Sequence, residues 1–362
     1  NHRLWFGTIS DGCYQVSTPV DKKENIVALN SISGGIYCFA IDAANELWIG
    51  TRGSGVFRYN AANNVVTQAQ HNQFLPGSPA SNFVVFLLRD RQGNMWCGLS
   101  GGLSKYDPLS HQFGFVNGPA SLNGSLLDKV IYSMYRTKDG TLFIGTQNRG
   151  LFEWKTGTGQ FISFPSSAVI GKANNVIYNI TEDDDGNIWA ATFGGLMQLE
   201  RKTKNITYYP EKRGLVKLNN MYAVTKLKRA DSLLVSADDG LHLFSLKEKK
   251  WVFFSRKPEN IHMIKGFAAF RGIRHFYEDE NNTMWLCAPG AGLIRYHYLE
   301  NRLETVAAVN NISPSVRHLL ADGPVFLLAT DNGLVVYDWQ KNRLLRQVDI
   351  KASGSSNVCY AI

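Results

Sequence analysis

The chain has 362 residues, 44% hydrophobic, 19% charged and 12% aromatic, an ordinary globular composition long enough to bury one large core or several small ones. No run of about 18 apolar residues occurs, which excludes a membrane-spanning helix within it. The formal net charge of +8 favours polyanionic partners such as acidic sugars, lipid headgroups or nucleic acid. The cations are scattered, and the nearest approach to a cluster, Lys247 to Lys250, reads as a solvated hairpin end.

Asn1-His2-Arg3 opens the chain with neither an initiator Met nor a secretory leader, and Tyr360-Ala361-Ile362 closes it inside an apolar alternation. Both ends read as cut, so the expectation is a fragment of a longer protein. Leu4-Trp5-Phe6-Gly7-Thr8 is the first of a series. Leu47-Trp48-Ile49-Gly50-Thr51, Met95-Trp96-Cys97-Gly98-Leu99, Leu142-Phe143-Ile144-Gly145-Thr146, Ile188-Trp189-Ala190-Ala191-Thr192 and Met284-Trp285-Leu286-Cys287-Ala288 repeat it. Weaker copies centre on Leu234 and Phe326, and successive anchors lie 43, 48, 47, 46, 45, 51 and 41 residues apart. That spacing is the length of one four-stranded propeller blade, about 40–50 residues.

Around each anchor the same order recurs: an apolar inner strand, a turn such as Asp185-Gly186-Asn187, the anchor strand, then Gly-apolar as in Gly102-Leu103 or Gly195-Leu196, and two further strands. Period-two apolar runs bounded by Gly, Asn and Asp are hairpin signals, and no helical period competes with them. The predicted fold is all-β, a propeller of four-stranded blades over residues 1–362. Trp5, Trp48, Trp96, Phe143, Trp189 and Trp285 are its structural blade anchors. The first repeat lacks an inner strand, and Asn357-Val358-Cys359-Tyr360-Ala361-Ile362 resembles the missing piece. If the two ends share a blade the count is eight; if one end belongs to a neighbouring module, seven is the alternative.

The segment from Asn175-Val176 through Asp185-Gly186-Asn187-Ile188-Trp189 to Gly194-Gly195-Leu196 resembles the two-component regulator propeller repeats of bacterial hybrid two-component sensors. A second copy runs from Asn82-Phe83 through Gly93-Asn94-Met95-Trp96 to Gly101-Gly102-Leu103. The resemblance implies a periplasmic sensor region built from two propellers and a β-sandwich. A membrane helix would join it to a histidine kinase and a DNA-binding regulator outside this fragment. It also implies an oligosaccharide ligand, contacts with the neighbouring propeller and β-sandwich of the same chain, scope for a homodimer, and no enzymatic activity in the fragment.

No residue pattern demands a cofactor or metal. The five cysteines, Cys13, Cys38, Cys97, Cys287 and Cys359, show no CxxC pair and lie in apolar stretches, where a thiol packs as a small hydrophobe. The eight histidines show no HExxH, and His275 reads as structural or solvent-facing. Asp183-Asp184-Asp185-Gly186 has the look of a calcium loop, but equivalent turns such as Arg91-Gln92-Gly93-Asn94 cannot ligate calcium, so a hairpin-turn role is expected. Asp184-x-Gly186-x-x-Trp189 also resembles a sialidase Asp box, which keeps a sialidase-like or lyase-like glycan-cleaving propeller as the alternative; a glycosidase would need two convergent carboxylates. A protein-docking platform is a third reading. Basic residues do not interleave with aromatics along one sheet face, so nucleic acid is not expected.

In a propeller the loops after each second strand and the starts of the inner strands share one face around the channel. There the sequence places Arg52, Asn148, Arg149, Phe193, Asp238, Arg271, Arg274 and Arg317 as candidate ligand contacts, with no catalytic and no metal residues. Arginine forks pair with carboxylate or sulfate and aromatic faces stack on sugar rings, so this rim suits an oligosaccharide, and an acidic one in particular.

Overall fold

The computed structural model describes residues 3–17, 26–115, 130–155, 160–164, 176–210, 220–238, 240–254, 272–273, 275–300, 302–348 and 358–361. They form an eight-bladed β-propeller of four-stranded antiparallel sheets, with one short helix at Ala307–Asn310. The chain packs as two compact units, Asn1–Ser167 with Asp349–Ile362, and Ala168–Val348. Blades 1 to 4 lie in the first unit and blades 5 to 8 in the second.

Blade 5 shows the pattern in full. Its strands are Ile177–Glu182, Ile188–Thr192, Gly195–Glu200 and Asn205–Tyr209, each paired with the next. The first is the inner strand, because it packs on the first strand of blade 6, Met221–Lys226. The other inner strands are Ile36–Ile41, Val84–Arg89, Ile131–Arg136, His275–Glu278 and Val316–Asp322 for blades 2, 3, 4, 7 and 8. In blade 1 the inner position is taken by Cys359–Ala361, which pairs antiparallel with Arg3–Thr8.

The repeated sequence phrase has a physical reason at each position. The Trp of four blades donates its indole N–H to an Asp six residues earlier: Trp48 to Asp42 at 2.9 Å, and Trp96 to Asp90, Trp189 to Asp183 and Trp285 to Asp279 at 2.8 Å. A buried indole N–H must find an acceptor, and the same carboxylate also accepts the turn amides, as Asp183 does from Asp185 and Asn187. Blade 4, with Phe143, has no such donor, and Thr137 fills the Asp position, bonding the Thr141 carbonyl at 3.0 Å. The Thr that ends the second strand is buried and clamps the next hairpin, Thr51 donating to the Gly55 carbonyl at 2.7 Å and Thr192 to that of Gly195 at 2.8 Å.

The Gly of the phrase permits close approach of the next blade. A Cβ on Gly7 would stand 2.3 Å from Cβ of Ile36, and one on Gly50 would stand 2.5 Å from Cys38 Sγ and 2.7 Å from Val84 Cγ1. The anchor ring then meets an aromatic on the third strand of the following blade. Within the first unit Trp5 meets Tyr59 (5.0 Å between centroids), Trp48 meets Tyr106 (4.8 Å) and Trp96 meets Trp154 (5.9 Å). Within the second, Trp189 meets Phe244 (5.3 Å) and Trp285 meets Tyr337 (6.3 Å). Such edge and tilted pairs add about 0.5–1.5 kcal/mol to the burial of their area, so each blade is stabilised chiefly by its neighbour.

One repeat assignment is corrected by register. In blade 5 the anchor Trp189 lies three residues before Thr192, which pairs with Gly195. In blade 8 Thr330 pairs with Gly333, which puts Leu327, not Phe326, at the anchor position. Phe326 faces blade 7 instead, 4.8 Å from Trp285. Blades 6 and 8 therefore both carry leucine there, Leu234 and Leu327, fully or nearly fully buried.

Candidate functional site

The inner strands share a second feature, a one-residue irregularity near their start. Pairing shifts between Ile36 and Cys38, Val84 and Phe86, Ile131 and Ser133, Ile177 and Asn179, Met221 and Ala223, and Val316 and His318. The extra residue is Tyr37, Val85, Tyr132, Tyr178, Tyr222 or Arg317, and every one is half-buried. A bulge unpairs one residue and re-aims its side chain, and bulges concentrate beside functional sites. The sequence signal for the tyrosines is Ile-Tyr, Ile-Tyr, Ile-Tyr and Met-Tyr at 36, 131, 177 and 221; Tyr222 and Arg317 are legible as strand entries, the other bulge residues are not.

The described members of the predicted set lie in loops after second strands or at the starts of inner strands. In the first unit Arg52 is exposed and its backbone bridges to Phe83, while Asn148 and Arg149 are exposed in the loop after the second strand of blade 4. In the second unit Phe193 is half-buried and its backbone bridges to Asn220. Asp238 accepts the Tyr222 hydroxyl at 2.6 Å and the Asn220 amide at 3.3 Å. Arg317 donates from Nε to Asp331 at 2.5 Å. Arg271 and Arg274 lie outside the described residues.

Blades 5 and 6 bring the densest group together. The Tyr178 and Tyr222 rings lie 5.4 Å apart at 51°, with Phe193, Asn220 and Asp238 supplied by the adjoining loops and strand start. Burial, reinforced by the Asp238 carboxylate, pushes the Tyr222 hydroxyl up to about 12, so it stays a proton donor at any physiological pH.

Other chemistry-bearing groups are committed to structure. His275 and His318 occupy the same register on neighbouring inner strands, opposite Cys287 and Ala329, with ring centroids 4.1 Å apart. Burial holds His275 down to about 4, and burial plus its neighbour holds His318 down to about 3, so both are neutral near pH 7. In blade 5 the equivalent residue is Asn179, opposite Ala191, and it accepts the Val224 amide of blade 6 at 3.0 Å. All five cysteines are reduced thiols in strands, and burial raises each, Cys38 to about 12, the signature of packing rather than reactivity. Among the described residues no group of three or more His, Cys, Asp or Glu is placed to hold a metal ion.

The cations are likewise used between blades. Arg58 bonds Glu46 and the Tyr106 hydroxyl (2.7 Å) and lies over the Trp48 ring at 5.2 Å. Arg91 donates to the Lys138 carbonyl, and Arg136 to that of Arg89 at 2.8 Å. Lys226 pairs with Asp184 at 2.9 Å, Lys228 donates to the Glu278 carbonyl at 2.9 Å and Arg295 to Asn342 at 2.9 Å. These six cations therefore fasten neighbouring blades.

The family model described as two component regulator propeller matches residues 125–148 and 171–194. The chain carries two-component regulator propeller repeats. Histidine kinase P4 of Formosa agariphila is 26% identical over 195 residues, 51% of this chain but only 13% of that protein. The chain also superposes on the extracellular domain of a B. thetaiotaomicron protein assigned as a hybrid two component system. That match has TM-score 0.56 at 18% identity over 99% of this chain and 47% of the other. Virginiamycin B lyase from Staphylococcus aureus, an enzyme, shares the fold with TM-score 0.57 at 13% identity over 91% and 96% of the two chains. At these identities the structural likenesses speak to the fold alone. The chain thus spans a small part of the histidine kinase and about half of the sensor domain it matches.

Proposed function

We propose that residues 1–362 form one propeller of the extracytoplasmic sensor region of a hybrid two-component protein. In this reading it recognises an oligosaccharide and passes the signal to a histidine kinase outside the fragment. The observation that carries this is the regulator-propeller repeat itself, matched at residues 125–148 and 171–194, the second of which holds the Asp183–Trp189 bond and the Thr192 clamp of blade 5.

The propeller acts as a binding module, not an enzyme. The recurrent carboxylates Asp42, Asp90, Asp183 and Asp279 face their own turns and indoles, so the residues most suggestive of acid–base chemistry are occupied as acceptors. Ligand would favour one arrangement of the sensor over another, and its differential affinity for the two would shift the kinase equilibrium. Neighbouring propeller and sandwich domains of the same chain, and a second copy in a homodimer, are the partners that would convert binding into that shift.

The test is calorimetry of the intact sensor region against oligosaccharides, paired with autophosphorylation of the full-length protein. Saturable binding that changes phosphorylation, with the sugar recovered unaltered, is expected. Turnover of the glycan by the purified propeller overturns the reading in favour of an enzyme.

A further inference from the structure

We propose that the start of the inner strands in blades 5 and 6 is a subsite for one neutral sugar ring. Tyr178 and Tyr222 form its stacking platform and Asp238 is its hydroxyl acceptor. The proposal rests on the oligosaccharide-sensing reading and specifies where and what kind of ring is held.

Geometry is the first argument. Tyr178 and Tyr222 are both bulge residues of adjacent inner strands, so the backbone irregularity that frees them from the alternation is common to both. Their rings are neighbours at 5.4 Å and tilted at 51° rather than stacked. Phe193, half-buried, lies at the same blade ends, its backbone bridged to Asn220 and bonded to the Val176 carbonyl. The C–H face of a pyranose matches such an aromatic pair, because it is apolar while its hydroxyls point to the edges.

Orientation is the second. The Tyr222 hydroxyl is anchored to Asp238 at 2.6 Å, which fixes the ring at little entropic cost on binding. Each carboxylate oxygen of Asp238 accepts one described bond, from Tyr222 or from the Asn220 amide, and a carboxylate has about four acceptor sites. It can therefore accept sugar hydroxyls as well, and charge-assisted bonds of this kind are the stronger ones.

Charge is the third argument, and it reverses the preference that the net charge suggests. Tyr178, Phe193, Asn220, Tyr222 and Asp238 together carry one negative charge and no positive one. Arg317, which occupies the equivalent bulge in blade 8, is paired with Asp331 at 2.5 Å. A uronate or sulfated ring at this position would meet Asp238 as a like charge, whereas a neutral hexose or pentose would not.

The experiment is isothermal titration of the chain with malto-, xylo- and manno-oligosaccharides, with oligogalacturonate as the acidic arm and tetramethylammonium as the cationic arm. A neutral saccharide should bind, and Tyr178→Ala and Asp238→Asn should each weaken it at least tenfold. Tyr222→Phe, which keeps the ring but releases Asp238, should weaken it severalfold. Tyr132→Ala, at the same bulge in blade 4, reports whether loss of any bulge tyrosine perturbs the fold and should leave affinity unchanged. Equal affinity of all variants for a bound neutral sugar overturns the subsite while leaving the sensing reading intact. Preference for oligogalacturonate or tetramethylammonium over every neutral sugar overturns the neutral class. Binding of no saccharide in the panel removes the oligosaccharide reading and the subsite with it.

Discussion

Removing the Asp183 side chain should reveal how much of a blade depends on one carboxylate. Asp183 is 5% exposed and accepts four bonds: the Asp185 amide at 3.1 Å, the Asn187 amide at 2.8 Å, the Asn187 side-chain amide at 3.1 Å and the Trp189 indole at 2.8 Å. Trp189 has no exposed surface, so in Asp183→Ala its N–H is left buried and unpaired, a cost of about 1–3 kcal/mol. Loss of the amide bonds to the turn adds about 1 kcal/mol, comparable to losing a helix cap, for a total of about 3 kcal/mol. Trp189→Phe removes the stranded donor, as blade 4 does naturally with Phe143 and Thr137. Asp183→Ala should therefore cost about 1–2 kcal/mol less in the Trp189→Phe background than in the wild type. Urea denaturation of the four proteins of this cycle, followed by circular dichroism, measures the coupling. Strict additivity would falsify the claim that the carboxylate is there for the indole.

Three further outcomes follow from packing and protonation. Gly50→Ala should destabilise by about 1–3 kcal/mol, since its Cβ would stand 2.5 Å from Cys38 Sγ. Gly114→Ala, whose nearest new contact is 3.8 Å away, should be close to neutral, and equal melting temperatures for the two would refute the close-approach argument. Deleting residues 358–362 should lower the melting temperature and raise amide exchange in Arg3–Thr8, which pairs with Cys359–Ala361, because the deletion leaves an open strand edge; unchanged exchange would count against it. His275 and His318 are held at about 4 and about 3 in the fold against about 6.5 in an unfolded chain. The unfolded state binds more protons below pH 6.5, so stability should fall as pH drops from about 6.5 toward about 3 and be fully present above pH 7. Replacing both with Asn, the residue blade 5 uses at this register, should flatten that slope between pH 7 and 4, and an unchanged slope would place the titration elsewhere.

The blade length, strand order and the Trp, Gly and Thr positions were legible in the sequence because each answers to a local or nearest-neighbour constraint that recurs every ~46 residues. The Asp six residues before each Trp was visible as turn chemistry, but its bond to the indole was not, since only folding brings positions 183 and 189 within 2.8 Å. Register misled in blade 8: Phe326 has the right residue type, and pairing of Thr330 with Gly333 gives the position to Leu327. The bulge is a related case: Tyr222 is legible as the entry of an inner strand, but nothing in the sequence marks it or Tyr178 as a residue that leaves the alternation. Arg317 was legible as a rim residue, yet its pairing with Asp331 depends on two strand ends meeting.

By itself, then, the sequence determined the repeat, and with it an all-β propeller, because a blade cannot bury its apolar face without a like neighbour. Tertiary structure alone decided which polar residues remain for a ligand. A charge acts through its distance to other charges, and only packing set Arg58 on Glu46, Lys226 on Asp184 and Tyr222 on Asp238.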